Sequence, residues 1–207
     1  MFYHKVKRVD FITNVNMQEK GGPLKGVPLL RISIPTKIVS EKATFEIPFG
    51  YIKRPTNGKE VPALKWIDLS NKEYGISLLN NCKYGHSVYR KTIRLNLIRN
   101  SYDPDPESDT GLHDFTYSLY PHKEDFKIAD TIKRSYELNN PLFVIKTSSH
   151  KGRLPSKASF FEIGPKNLII SAIKKAEGSD NLIIRAYDGY GKKVKRLKIN
   201  TLFPIKK

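Results

Sequence analysis

The sequence predicts a mainly β protein: a large antiparallel β-sandwich of the supersandwich kind, then one helix, then a smaller β-sheet portion. Three observations carry this prediction. Short runs of alternating apolar and polar residues recur from Val9 to Ile199, with Gly, Pro, Asn and Asp between them, which is the pattern of half-buried strands separated by turns. Residues 125–138 alone have a helical period. No stretch nears the roughly 18–20 consecutive apolar residues of a membrane-spanning helix.

Taken in order, residues 2–16 read as a strand, in which Val9, Phe11, Thr13 and Val15 alternate with Arg8, Asp10, Ile12 and Asn14. Gly21, Gly22, Pro23, Gly26 and Pro28 interrupt the pattern, and Leu30, Ile32 and Ile34 resume it. These two runs are expected to form a strand pair across a long loop, with Pro35 at an edge or a bulge because it has no N–H for the ladder. Residues 43–52 alternate through Phe45, Ile47 and Phe49, then meet Gly50, the pair Lys53–Arg54 and the turn-forming Pro55, Thr56, Asn57 and Gly58. This reads as a projecting hairpin with a cationic tip.

Further strands are expected over residues 65–69, 74–80, 93–97 and 115–119. The loop 102–111, with two prolines and several acids, is irregular. In residues 125–138, Phe126, Ala129, Ile132 and Tyr136 form an apolar stripe, and Asn139, Asn140 and Pro141 stop the helix. Strands over 142–146, 158–163, 168–174, 182–188 and 194–199 follow, with hairpin turns at 178–181 and 188–191. The expected organisation is a main sandwich over 1–124, a connecting helix over 125–138 and a smaller β portion over 139–207.

A net charge of +17 makes an acidic partner or a nucleic acid a hypothesis to weigh. Its lysines and arginines alternate with apolar residues along the chain, as solvated strand faces do, so no specific nucleic-acid role is expected. The single cysteine, Cys82, excludes an internal disulfide and a cysteine zinc site, and it fits a reducing cytoplasm. The first eleven residues carry charges throughout and no apolar stretch, so no signal peptide is expected.

The chemistry-bearing residues form no recognisable catalytic motif. His4, His86, His113, His122 and His150 stand in no two-histidine metal spacing. Asp103, Asp105, Glu107 and Asp109 include the carboxylates a glycosidase pair would need. Crowded into one loop of a basic protein, they read better as a solvated turn or as counter-charges for lysines. Neither Cys82 nor any serine sits in a nucleophile elbow. Trp66, Tyr74 and Tyr120 fit core positions, whereas Tyr51, Tyr84 and Tyr89 lie at turns or strand ends and offer rings for stacking.

The runs FEIPFGYIKRPT, ALKWIDLS, EYGISLLNNCKYGHSV, IRLNLIR and PDPESDTGLHDFTYSLYPH, in this order, resemble the C-terminal β-region of glycoside hydrolase family 38, the class II α-mannosidases, on its cytosolic and prokaryotic branch. The resemblance is dense over residues 45–122 and looser beyond. It implies a retaining α-mannosidase whose catalytic aspartates and zinc or cobalt ion lie in a barrel outside these residues. No catalytic residue and no metal ligand is therefore assigned in this chain.

The resemblance also implies a hairpin that reaches towards the sugar site, with Arg54 as the contacting cation and Tyr51 beside it. The expected role is to support that barrel and help complete an α-mannoside site, without turnover by the chain alone. An autonomous carbohydrate-binding sandwich is the alternative, and a basic nucleic-acid-binding protein the second alternative.

Overall fold

A computed structural model describes residues 1 and 6–204. The start of the strand expected over 2–16, with His4, and the last three residues lie outside the described residues. The chain divides into two units, Met1–Pro141 and Leu142–Lys207. As expected, the architecture is mainly β, with a sandwich, one helix and a smaller β portion.

In the first unit, a six-stranded antiparallel sheet has the order β1-β10-β7-β6-β3-β4. Its strands are β1 (Val9–Met17), β3 (Lys42–Ile47), β4 (Gly50–Pro55), β6 (Trp66–Ser70), β7 (Tyr74–Asn80) and β10 (Gly111–Lys123). A four-stranded sheet has the order β2-β9-β8-β5, from β2 (Leu29–Pro35), β5 (Val61–Pro62), β8 (Gly85–Tyr89) and β9 (Thr92–Arg99). Strands send alternate side chains to opposite faces. Ala43, Phe45, Ile67, Leu69, Leu78 and Phe115 of the larger sheet therefore meet Val88, Ile93, Leu95 and Leu97 of the smaller one in a single buried cluster.

The opposite face of the six-stranded sheet is covered by helix α1 (Thr131–Asn139), which packs on β6 and β7. Trp66, on that face, stacks on Phe126 with ring centroids 5.0 Å apart, and Phe126 and Ile132 are buried. The central strands of this sheet are thus buried on both faces, which explains why β6 is buried at four successive positions.

The structure corrects several expectations. The runs at Val9–Met17 and Leu29–Pro35 do not pair: β1 bonds to β10 and β2 to β9, so the Gly/Pro loop between them crosses from one sheet to the other. Pro35 does end an edge strand. Strands β5 and β8 were not anticipated. In β8 the buried residues are His86, Ser87 and Val88, so polar side chains hide the apolar alternation.

The helix begins at Thr131, six residues later than its period suggested. The Asp125 carboxylate accepts the N–H groups of Lys127 and Ile128, and Asp130 takes a left-handed backbone at φ 57°. A side chain that satisfies backbone donors locally competes with the helix, so 125–130 forms a turn that still delivers Phe126 to the sheet.

The second unit contains two antiparallel pairs, β11 (Phe161–Gly164) with β14 (Lys198–Thr201) and β12 (Leu168–Lys175) with β13 (Leu182–Asp188). The turn expected at 178–181 joins β12 to β13, whereas 188–191 joins no paired strands. The strand expected at 142–146 is absent, and Leu142, Phe143, Val144 and Ile145 are each at least 86% exposed. Of the large apolar side chains described in this unit, only Tyr190 is buried. Charge is not shared evenly: residues 142–207 hold 15 of the 37 Lys and Arg but only 4 of the 20 Asp and Glu.

Leu78 is fully buried between the two sheets. Leu78→Ala is expected to destabilise the first unit by about 3 kcal/mol, the usual cost of lost transfer energy plus a cavity, read as a fall in urea midpoint at unchanged slope.

Candidate functional site

The hairpin anticipated as a cationic tip has a different geometry. Ile47 pairs with Gly50, so β3 turns into β4 through Pro48 and Phe49 alone. Phe49 holds φ 57° and is 59% exposed. A left-handed backbone is costly for a bulky residue, and Pro48 favours the turn by presetting its own φ. The tip is therefore aromatic. Lys53 and Arg54 lie well down β4, opposite Thr44 and Ala43, and β4 is the edge strand of the sheet. The residues Pro55–Gly58 lead across to the other sheet, with Thr56 N–H donating to Glu41 O and Gly58 N–H to Val88 O.

Arg54 and Tyr51 occupy different surroundings. The Arg54 guanidinium sits 5.3 Å from the centre of the Phe45 ring and donates through Nη1 to Pro62 O at 2.9 Å. Tyr51 meets the Phe126 ring edge-on at 4.8 Å, and Lys127 Nζ lies 5.2 Å from the Tyr51 ring centre. Tyr51 is thus anchored against the helix side of the sheet. Residues alternate along β4, so three positions separate the two onto opposite faces.

The histidines are structural in their contacts. His86 is fully buried in the core, donates from Nδ1 to Tyr84 O at 3.0 Å and faces the Asn80 amide with Nε2. Burial lowers its pKa to about 4, against the small raising effect of the Tyr84 carbonyl. His113 contacts Asp109 O, and His150 contacts Ser148 O at an exposed site.

His122 belongs to a buried network under the helix. Asp68 Oδ2 lies 2.7 Å from His122 Nε2 and accepts from Ser77 Oγ at 2.8 Å, while Asp68 Oδ1 accepts from Ser70 Oγ at 2.6 Å. Ser77 Oγ is also 3.0 Å from His122 Nε2 and 2.7 Å from Thr131 Oγ1. Asp, His and Ser are the residues of a hydrolytic triad, but here Ser77 and Asp68 crowd the same ring nitrogen. A triad needs them on opposite nitrogens, and Ser77 has no exposure. This cluster fastens the start of α1 to β6, β7 and β10.

Burial works against a charge on His122, yet its bond to Asp68, the charge of Asp68, the Lys123 carbonyl and the charge of Asp125 outweigh that and raise its pKa. Both ring nitrogens face acceptors, so the protonated ring is the satisfied one. Gly75 is required beside it, because a Cβ there would collide with His122 and Ser70.

A second buried carboxylate, Asp10, holds Arg8 through both oxygens, at 2.6 and 3.0 Å, and accepts from Ser118 Oγ; Arg8 in turn donates to Arg134 O on the helix. Glu46 accepts the Lys65 ammonium at 2.7 Å and the Lys65 N–H. Burial pushes the Glu46 carboxyl up, and Lys65 offsets only part of this.

The acidic loop is exposed. Glu107 pairs with Lys20, and Asp105 accepts the Glu107 N–H. Among the described residues no three His, Cys, Asp or Glu side chains converge as a divalent ion would need, so the residues present do not fit a zinc or cobalt site.

Trp66 and Tyr120 are buried, and Tyr120 donates to Ala129 O. Tyr74, Tyr84 and Tyr89 are exposed. Tyr84 stands between two clefts of about 240 and 260 Å³. The first is lined also by Leu64, Lys65, Asn80, Asn81, Cys82 and Asn139, a grouping no single stretch of sequence announces.

Residues 1–107 match the family model described as the glycosyl hydrolases family 38 C-terminal domain, and residues 167–207 match the family 38 C-terminal beta sandwich domain. Alpha-mannosidase G of Dictyostelium discoideum is 38% identical over 193 residues, which cover 89% of this chain and 17% of that protein. Alpha-mannosidase 2C1 of Homo sapiens is 37% identical over 179 residues, 80% of this chain and 17% of that protein. The chain thus spans about a sixth of the length of these curated relatives. An Enterococcus faecalis α-mannosidase structure shares the fold at a TM-score of 0.82 and 18% identity, over 97% of this chain and 24% of its own.

The two histidines give opposite pH dependences. For His86 the folded pKa lies below the unfolded one, so the unfolded chain binds the extra proton. Its contribution is intact above about pH 6.5 and about 3 kcal/mol is lost as pH falls to about 4. For His122 the folded pKa is raised, so its contribution is complete below about pH 6.5 and disappears as pH rises through the folded value. Urea midpoints across pH check both: His86→Gln is expected to flatten the acid limb, and His122→Gln the neutral-to-alkaline limb.

Proposed function

This chain belongs to glycosyl hydrolase family 38, as part of its C-terminal β-region, and from that premise we propose that it serves an α-mannosidase by supporting a catalytic barrel and completing its α-mannoside site. The observation that carries this reading is the 37–38% identity to α-mannosidases sustained over 80–89% of the chain. Membership in the class II branch and a cytoplasmic setting go with it, the latter on the evidence of the free thiol of Cys82. The divalent ion and the reacting carboxylates belong, in this reading, to the barrel and not to these residues.

Within the chain, the β3–β4 hairpin is the element that meets the sugar site. Arg54 is the cation of choice there, because an arginine fork donates to hydroxyl or carboxylate oxygens in fixed geometry, and its guanidinium is already steadied by the Phe45 ring and, through Nη1, by the Pro62 carbonyl. Tyr51, two residues past the turn, holds the tip end of the hairpin against Phe126. The exposed Phe49 at the turn makes the leading apolar contact.

The test combines the purified chain with an aryl α-mannoside, zinc or cobalt, and a barrel polypeptide from a family 38 relative. The chain alone is expected to give no turnover, and the mixture is expected to hydrolyse the substrate. Arg54→Ala in the mixture should lower kcat/KM at least about tenfold, or about 1.4 kcal/mol of transition-state stabilisation. Metal-dependent turnover by the chain alone would overturn the reading.

A further inference from the structure

The cleft beside Tyr84 is used by none of the roles above, and its construction is unusual for a surface hollow. Its backbone is fixed from beneath. Asn80, 1% exposed, accepts the N–H groups of Cys82 and Lys83 on Oδ1 and donates through Nδ2 to Leu64 O. The Tyr84 carbonyl is held twice, by Ala63 N–H at 3.0 Å and by the buried His86 ring. The tyrosine ring, 59% exposed, is therefore mounted on a segment that cannot follow it if it moves.

Around that ring the hydrogen-bonding groups are oriented and only part-used. Asn139 spends Nδ2 on Asn80 O and Ser135 O, which leaves Oδ1 as an acceptor. Asn81 spends Oδ1 on Thr116 N–H, which leaves Nδ2 as a donor. The cleft is not electrostatically selective for anions. The Lys65 ammonium is neutralised by Glu46, and the neighbouring Lys83 ammonium lies 4.4 Å from the Phe115 ring centre, engaged with its face.

An exposed aromatic face, one free amide donor and one free amide acceptor suit a ring with an apolar C–H face and hydroxyls that both donate and accept. At about 240 Å³ the cleft is smaller than the roughly 300–1,000 Å³ of drug-sized pockets, so it takes one ring and not an extended ligand.

We propose that the cleft lined by Tyr84, Asn81 and Asn139 is a binding site for a single neutral pyranoside. The sugar stacks on Tyr84 while its hydroxyls donate to Asn139 Oδ1 and accept from Asn81 Nδ2. The assignment stands on the cleft and does not depend on the barrel-supporting role.

The experiment is a titration of the full 207-residue chain with methyl α-D-mannopyranoside, followed by amide NMR. Saturable shifts are expected at Asn81, Cys82 and Tyr84, with a dissociation constant on the order of 1 mM. Tyr84→Phe keeps the ring and should bind as the parent does, whereas Tyr84→Ala should weaken binding at least about tenfold. Because residue 84 is exposed, an unchanged amide spectrum away from the cleft shows that either variant remains folded.

Three outcomes overturn the proposal: shifts that never saturate, Tyr84→Ala binding like the parent, or glucuronate binding while the neutral sugar does not.

Discussion

Asp68 is the carboxylate on which the helix-covered half of the sandwich depends. A sheet whose central strands are buried on both faces needs an apolar cover or a fully satisfied polar one, because an orphaned buried charge costs several kcal/mol. Asp68 receives three donors, from Ser70, Ser77 and His122, and Ser77 passes the chain on to Thr131 at the first turn of the helix. Arg8 with Asp10 and Ser118 reaches Arg134, and Asn139 reaches back to Asn80. The helix is thus tied at its start, middle and end by polar contacts, with Trp66, Phe126 and Ile132 filling the space between them.

Those ties also explain why the hydrophilic groups that looked available for chemistry are not. His86 and His122 are committed to holding strands and helix in register. The acidic loop is solvated and paired to Lys20. What the fold leaves accessible is different in kind: an aromatic hairpin tip, an arginine steadied on an edge strand, and a tyrosine on a rigid mount. These are groups for contact and orientation.

Most of the first unit's strands could be read from the sequence because Phe45, Ile67, Leu78, Ile93, Leu95 and Phe115 fall on alternating, one-sided patterns. The exceptions have local causes. β8 places a histidine and a serine at buried positions, so its alternation is masked. The Asp125 side chain replaces a helical turn with its own acceptor geometry. The turn at Pro48–Phe49 uses a left-handed phenylalanine where a glycine or asparagine would have announced it, and this moved the expected tip from Phe49 to Arg54. The run Leu142–Ile145 has the composition of a strand but pairs with no strand among the described residues, and composition alone cannot supply a partner. The Tyr84 cleft gathers residues from 64 to 139 through pairing of distant strands, which only the folded chain displays.

Trp66 is the only tryptophan in the chain, and it lies at the junction of sheet and helix with its indole N–H unpartnered among the described residues. The intrinsic fluorescence of the molecule is therefore a local instrument. It senses water reaching the underside of the helix, where the indole stacks on Phe126. A melt followed by indole emission therefore describes the first unit, and the 66 residues of the second, which hold no tryptophan, need an observable of their own. Amide exchange, which samples every residue, is the observable that would separate the two.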